Sequence, residues 1–263
     1  VGYAGTAIAI DHVTLKSGSS TLKAGLIGTT PTVNIYAGCS KDFAVSISNC
    51  TVESGVVIGY NKDQSMIGSI AGRVNGTISN CTSAATVYGT DYVGGILGTR
   101  DNALGVCEVR NCAFTGAVIA DGEQAGGVVG GGYSDSSAPN GVRISVIGCS
   151  ASGSVSGHDK VGGILGGDSF VAQTWNAYTF ADNRFTGTIS GSGSTVGGVI
   201  GYYHSLNKWD DITGNYYASS CGASSGFGFV QYVDTNCASH ETASGAIYFN
   251  TQNGVSDCPA VTG

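Results

Sequence analysis

Three carboxylates recur at one place in this chain: Asp91, Glu123 and Asp159 each stand three residues ahead of the first glycine of a repeated hexapeptide. Stacked in register on successive repeats, they would lie about 5 Å apart between neighbours and about 10 Å across two repeats. Carboxyl pairs separated by about 5 to 9.5 Å perform glycoside hydrolysis, one as acid and the other as nucleophile or base. Asp168, just beyond the third clean hexapeptide, is a fourth candidate for such work. Clustered carboxylates also suit Ca²⁺, which takes oxygen ligands, and Ca²⁺ is the one cofactor this pattern suggests. The plainer alternative is a row of solvated turn residues, which loops favour in any case.

The segments that follow each hexapeptide vary in length and carry the second group of candidates. These are Arg100, Tyr133, Trp175, Tyr202, Tyr203, His204 and Trp209, a set that includes both tryptophans of the chain. All come after the same corner, so in a stacked fold they emerge along one side. Insertions on one face of a solenoid commonly form its binding surface. Aromatic rings beside carboxylates and amides offer a sugar both an apolar face to stack on and partners for its hydroxyls. The competing reading is that these rings cover the apolar edges of the coils.

Cysteine adds little chemistry. Cys50, Cys81, Cys112 and Cys149 share one repeat position and should form a column of small buried thiols. No Cys-x-x-Cys pair occurs and the four histidines are scattered, so no metal site is expected. A Gly-x-Ser-x-Gly match at 222–226 lacks the strand-turn-helix setting its nucleophile needs.

The elements that must position these residues are visible as repeats. One hexapeptide appears as VGGILG at 93–98, AGGVVG at 125–130, VGGILG at 161–166 and VGGVIG at 196–201. Looser copies lie at 67–72 and 23–28. A second motif alternates with it: Ile47-Ser48-Asn49-Cys50, Ile78-Ser79-Asn80-Cys81 and Val109-Arg110-Asn111-Cys112, continued less strictly at 146–149, 180–183 and 212–215. Its third position reads His12, Asn49, Asn80, Asn111, Gly148, Asp182 and Gly214. Those residue types tolerate positive φ best, so the position predicts a left-handed residue bending the chain between two strands. A third element, such as Phe114 to Val118 and Phe185 to Ile189, lies between the two motifs. No segment sustains a 3.6-residue apolar period, so helices are not expected. Thirty-odd residues with three short strands and glycine or asparagine corners make one turn of a parallel β-coil.

Composition agrees. The chain has 263 residues with 44 Gly and only 11% charged, against roughly 25% charged in an average soluble domain. Its net charge of −7 and lack of any basic stripe argue against nucleic acid and against anionic membranes. No apolar run reaches the length of a membrane span, so no membrane insertion is expected.

The hexapeptide and the Asn-Cys segments, over roughly residues 40 to 217, resemble the GLUG motif. This glycine-rich repeat belongs to secreted bacterial proteins that include streptococcal IgA-cleaving metallopeptidases. The resemblance implies an extracellular or cell-surface location, and because the sequence opens on Val1 without a signal peptide, targeting signals are expected outside this segment. The zinc-binding His-Glu-x-x-His signature of those peptidases has no match here.

These readings converge on a single-domain, all-β parallel β-solenoid, expected as a right-handed β-helix of about seven coils. Residues 1–217 would form the repeats and 218–263 a degenerate last coil or C-terminal cap. The expected function is a structural or adhesive module, binding glycan or a host or surface protein along its loop face. The alternatives are a polysaccharide-active hydrolase or lyase using the stacked carboxylates, and an accessory region of a larger secreted peptidase.

Overall fold

The computed structural model describes residues 8–18, 25–29, 45–59, 64–100, 107–132, 144–168, 179–206, 211–233, 242–243, 246–247 and 260–261. Every regular element among them is a β-strand, and apart from one short antiparallel pair at 242–247 all strands pair in parallel. The chain is a parallel β-solenoid. Among the described residues no helix is long and apolar enough to cross a membrane.

Five sheets run along the stack. One coil shows the pattern: Cys107–Arg110 lies in the first sheet, Ala113–Phe114 in the second and Ala117–Ala120 in the third. Glu123–Gly126 then enters the fourth sheet and Val129–Gly132 the fifth. The third and fourth sheets hold five strands each, so five coils contribute to every sheet. A partial coil precedes them with Ile8–Asp11, Thr14–Leu15 and Ile27–Thr29. Another follows with Asp211–Thr213, Tyr216–Ala218 and Phe227–Val233. The count thus differs slightly from the seven coils expected, because the end coils are incomplete.

Register is strict. Ile47 pairs with Ile78, Ile78 with Val109, Val109 with Val146, Val146 with Phe180 and Phe180 with Ile212. All six are buried, as alternation requires when one face of a strand meets the core. A one-residue slip would turn the whole inward column to solvent.

Two columns of left-handed residues bend the coils. The first is the one the sequence predicts: His12, Asn49, Asn80, Asn111, Gly148, Asp182 and Gly214 all have φ between 51° and 65°. The second gives no such signal. Met66, Tyr92, Gln124 and Lys160 have φ of 63°, 57°, 63° and 52° at the corner into the fourth sheet. None of these side chains favours that conformation, and a bulky residue there is strained.

The hexapeptide glycines serve a different purpose from the corner role expected of them, since none of the clean copies has positive φ. They permit close approach. After the fourth sheet the chain doubles back, and the fifth sheet packs against the backbone of the fourth. A Cβ on Gly130 would sit 2.4 Å from the Tyr92 carbonyl carbon and 2.5 Å from the Val93 nitrogen. One on Gly95 would sit 2.4 Å from the Phe114 ring, and one on Gly163 2.4 Å from the Phe185 ring. Ser69 occupies the same place in the looser second copy, where the matching residue of the next coil is the small Ser83 instead of a ring.

Gly130→Ala should therefore destabilise the fold by about 1–3 kcal/mol, because the methyl meets backbone that cannot rotate away. Asn80→Gly should be near neutral, while Asn80→Ala should cost about 1–2 kcal/mol at its left-handed φ. Urea denaturation followed by circular dichroism measures both differences.

Candidate functional site

The acidic row exists as a row. Glu123 pairs directly with Asp159, and the pairing of Val93 with Ala125 sets Asp91 opposite Glu123. Its carboxylates, however, are engaged between coils. Asp91 Oδ1 accepts the Glu123 backbone N–H at 2.8 Å. Asp159 Oδ1 accepts the Thr195 backbone N–H at 2.9 Å and the Thr195 hydroxyl at 2.5 Å. Thr195 Oγ1 in turn accepts the Lys160 backbone N–H at 2.7 Å. Glu123 Oε2 accepts the Lys160 ammonium at 2.6 Å. Each acid thus ties its own coil to the next.

The ionisation of Asp159 follows. Burial pushes its carboxyl up. The Thr195 hydroxyl and amide, the Lys160 amide and the Lys160 charge together outweigh burial and hold it below its ordinary value. Asp11 shows the same device on the first coil. The Ser48 hydroxyl at 2.6 Å and the Asn49 amide at 2.8 Å, with His12 beside them, lower its carboxyl to about 2.

Asp168 is not part of the row. It lies in the fifth sheet, 6% exposed, with its carboxylate leaning over Gly132 of the preceding coil. Arg100 is also in the fifth sheet and 1% exposed, so it sits inside the coil surface rather than on it. Tyr203 is likewise in the core at 1%. His204 belongs to the strand Ile200–Leu206, and Tyr133, Trp175 and Trp209 lie outside the described residues.

A cation and aromatic strip crosses four successive coils. Lys160, bound to Glu123 of the coil before, holds its ammonium 5.2 Å from the centre of the Tyr202 ring. Tyr202 stacks on Phe229 of the next coil, with centroids 5.9 Å apart and planes 16° apart. The two rings are neighbours because Tyr202 and Phe229 are in register, and Gly167 precedes them in the same column. Lys160 can reach them because the column has no side chain at Gly167, beside which the lysine stem passes. The sequence marks Tyr202 as a loop-face candidate and puts Phe229 within the degenerate last coil or C-terminal cap. Only the register joins the two.

The thiol column is present and buried. Cys50, Cys81, Cys112 and Cys149 each point a sulfur at the carbonyl two residues back, at 3.1, 3.3, 3.2 and 3.5 Å. Contact with the next thiol, then burial, pushes Cys81 far up; Cys149 likewise raises Cys112 to about 12. Asn183 and Asn215 continue the column. Cys149 N–H donates to Asn183 Oδ1 at 2.9 Å, and the Asn183 amide donates to Asn215 Oδ1 at 2.9 Å. Among the described residues no three His, Cys, Asp or Glu side chains gather to hold a metal ion.

The class these features define is a parallel β-solenoid with a glycine-packed inner turn. No protein-family model matches the chain, and no protein of curated function matches it. Among solved structures it is similar to one described as a "putative immunoglobulin A1 protease from Bacteroides ovatus", with a TM-score of 0.51. Identity is 20%, over 95% of this chain and 67% of that one, a likeness that establishes the fold alone.

Because the folded pKa of Asp159 lies below its unfolded value near 3.9, its contribution to stability is present above about pH 4. It fades as pH falls through the lower, folded value. The difference in urea midpoint between the parent and Asp159→Asn should therefore be largest near neutrality and shrink towards pH 2.

Proposed function

We propose that this chain is an extracellular bacterial β-helix module with a structural and adhesive role, binding glycan or protein along its loop face. The observation that carries this reading is the engagement of the acidic row. Asp91, Glu123 and Asp159 each accept a hydrogen bond from the next coil, which ties coil to coil as a scaffold needs. The lysine and aromatic strip beside the row supports the adhesive part, since it offers ring surface next to polar groups. Low charge, the GLUG-like repeat and the sequence candidates Tyr133, Trp175, His204 and Trp209, which all follow the hexapeptide, belong to the same reading. It requires no cofactor.

A second reading is favoured by one observation, the likeness of fold to the structure named as an immunoglobulin A1 protease. In that reading the solenoid is an accessory region that positions substrate for a catalytic domain elsewhere in a larger secreted peptidase. Both readings give the module a partner and leave chemistry to others. A polysaccharide hydrolase or lyase would need Asp168 or the row to be released from its present surroundings.

Isothermal titration against a panel of neutral and acidic glycans tests the adhesive reading. Trp175→Ala and Trp209→Ala should each weaken the best ligand by about ten-fold, the scale of one lost aromatic stack. Binding that is unchanged in both variants overturns the loop-face site. Release of reducing ends from any of these glycans would instead establish an enzyme.

A further inference from the structure

The second and third sheets share one outer face. Across four coils, residues 82–88, 113–119, 150–156 and 184–190 alternate without a break. The first, third, fifth and seventh of each span point outward, and those between, such as Phe114, Val155 and Phe185, are buried. No residue in these spans has a positive φ, so no corner interrupts them. Backbone bonds run on through the junction, from Ser152 N–H to Phe114 O and from Thr186 N–H to Ala151 O, both at 2.9 Å. Register stacks the outward residues into columns, among them Thr86, Ala117, Ser154 and Thr188. Spacing is about 4.8 Å along a column and about 6.6 Å from one column to the next.

Charge is scarce on this face. The protein carries −7, yet Arg184 is the single charged residue in the four spans. Hydroxyls take the place of charges. Every outward residue of 150–156 is serine, and 184–190 presents Thr186, Thr188 and Ser190 beside Arg184. Thr82 Oγ1 donates to Thr51 Oγ1 at 3.3 Å, hydroxyl to hydroxyl along the stack. Aromatic surface is added at two places. Tyr88 is 39% exposed, and Tyr216, which follows Arg184 in its column, is 41% exposed. These are the two exposed tyrosines among the described residues, and both stand on this face.

We propose that this face adsorbs an ordered, uncharged polysaccharide, of the cellulose or chitin kind, laid across the coils. The inference rests on the reading of the module as glycan-binding, names the class of glycan, and gives it a second face apart from the loops. A hydroxyl on an open surface gains little by exchanging water for one sugar hydroxyl. Affinity must therefore come from many such contacts made at once, and a repeating, rigid array makes them with a repeating, pre-ordered partner. The tyrosines supply ring faces for the apolar sides of the sugars. A charged polymer would find one guanidinium and no other ion here.

Depletion of the intact protein from solution by suspended microcrystalline cellulose and by crystalline chitin tests it. The parent should bind at least one of the two solids, and equally at low and high salt, because no charge pairing is involved. Thr115→Lys and Thr188→Lys each set a charge beneath the polymer at an exposed position and should weaken adsorption about ten-fold. Tyr88→Ala and Tyr216→Ala should each weaken it about five-fold. Ser46→Lys, the same kind of change on the exposed outer side of the first sheet, should leave it unaltered. A parent that binds neither solid overturns the proposal, as do lysine variants at 115 and 188 that fold and adsorb like the parent. Equal weakening by Ser46→Lys overturns it too. Adsorption lost only in Trp175→Ala or Trp209→Ala keeps the loop-face reading and removes this inference. Failure in both assays removes both.

Discussion

The stack depends on how closely two backbones can approach. The fifth sheet lies so near the fourth that Gly98, Gly130, Gly166 and Gly201 have backbone where a Cβ would be. That contact draws the inner turns at Gly95 and Gly163 against the rings of Phe114 and Phe185 and lets the core close around branched aliphatic columns. Everything outside follows from it. Side chains that share a repeat position become neighbours along the rod, at the spacing of paired strands.

Such columns decide which chemistry is open to a side chain. A carboxylate repeated on consecutive coils meets the backbone amide of the coil above before it meets anything in solution. Asp91 and Asp159 both take that bond, and Glu123 finds Lys160 instead. The same logic converts Tyr202 and Phe229, far apart in sequence, into one stack. The outer surface of the coils is assembled from register.

Much of this was legible in the sequence, and the reasons are specific. Asn49, Asn80 and Asn111 announce their left-handed corner because few residue types tolerate it. The same motif carried the prediction through Gly148, Asp182 and Gly214. The in-phase hexapeptides announced stacking. What they do was misread: these glycines make room for backbone and do not turn it. The corner at Met66, Tyr92, Gln124 and Lys160 left no trace in residue type, since packing imposes it against local preference. The row of acids was predictable from spacing, but not its partners. Thr195 and the Glu123 amide become acceptable donors only once one coil lies on the next. Arg100 and Tyr203 follow the hexapeptide as a loop residue would, yet the fifth sheet extends far enough to enclose them.

The change from thiol to amide along the interior column has a consequence for how the rod can grow or shrink over generations. The coils centred on Cys81 and Cys112 make nearly the same contacts above and below, each sulfur facing its own carbonyl two residues back. A coil of that kind could be duplicated or lost with its neighbours rejoining like for like. Asn183 and Asn215 are different, because each amide is committed by direction: Asn183 takes from Cys149, gives to Asn215, and also bonds Val146 O. Excising the Asn215 coil would take away the oxygen that accepts the Asn183 backbone N–H and leave that donor stranded in the interior. The molecule thus has an interchangeable half and a half whose order is fixed, and length variation among descendants of this chain should accumulate in the first.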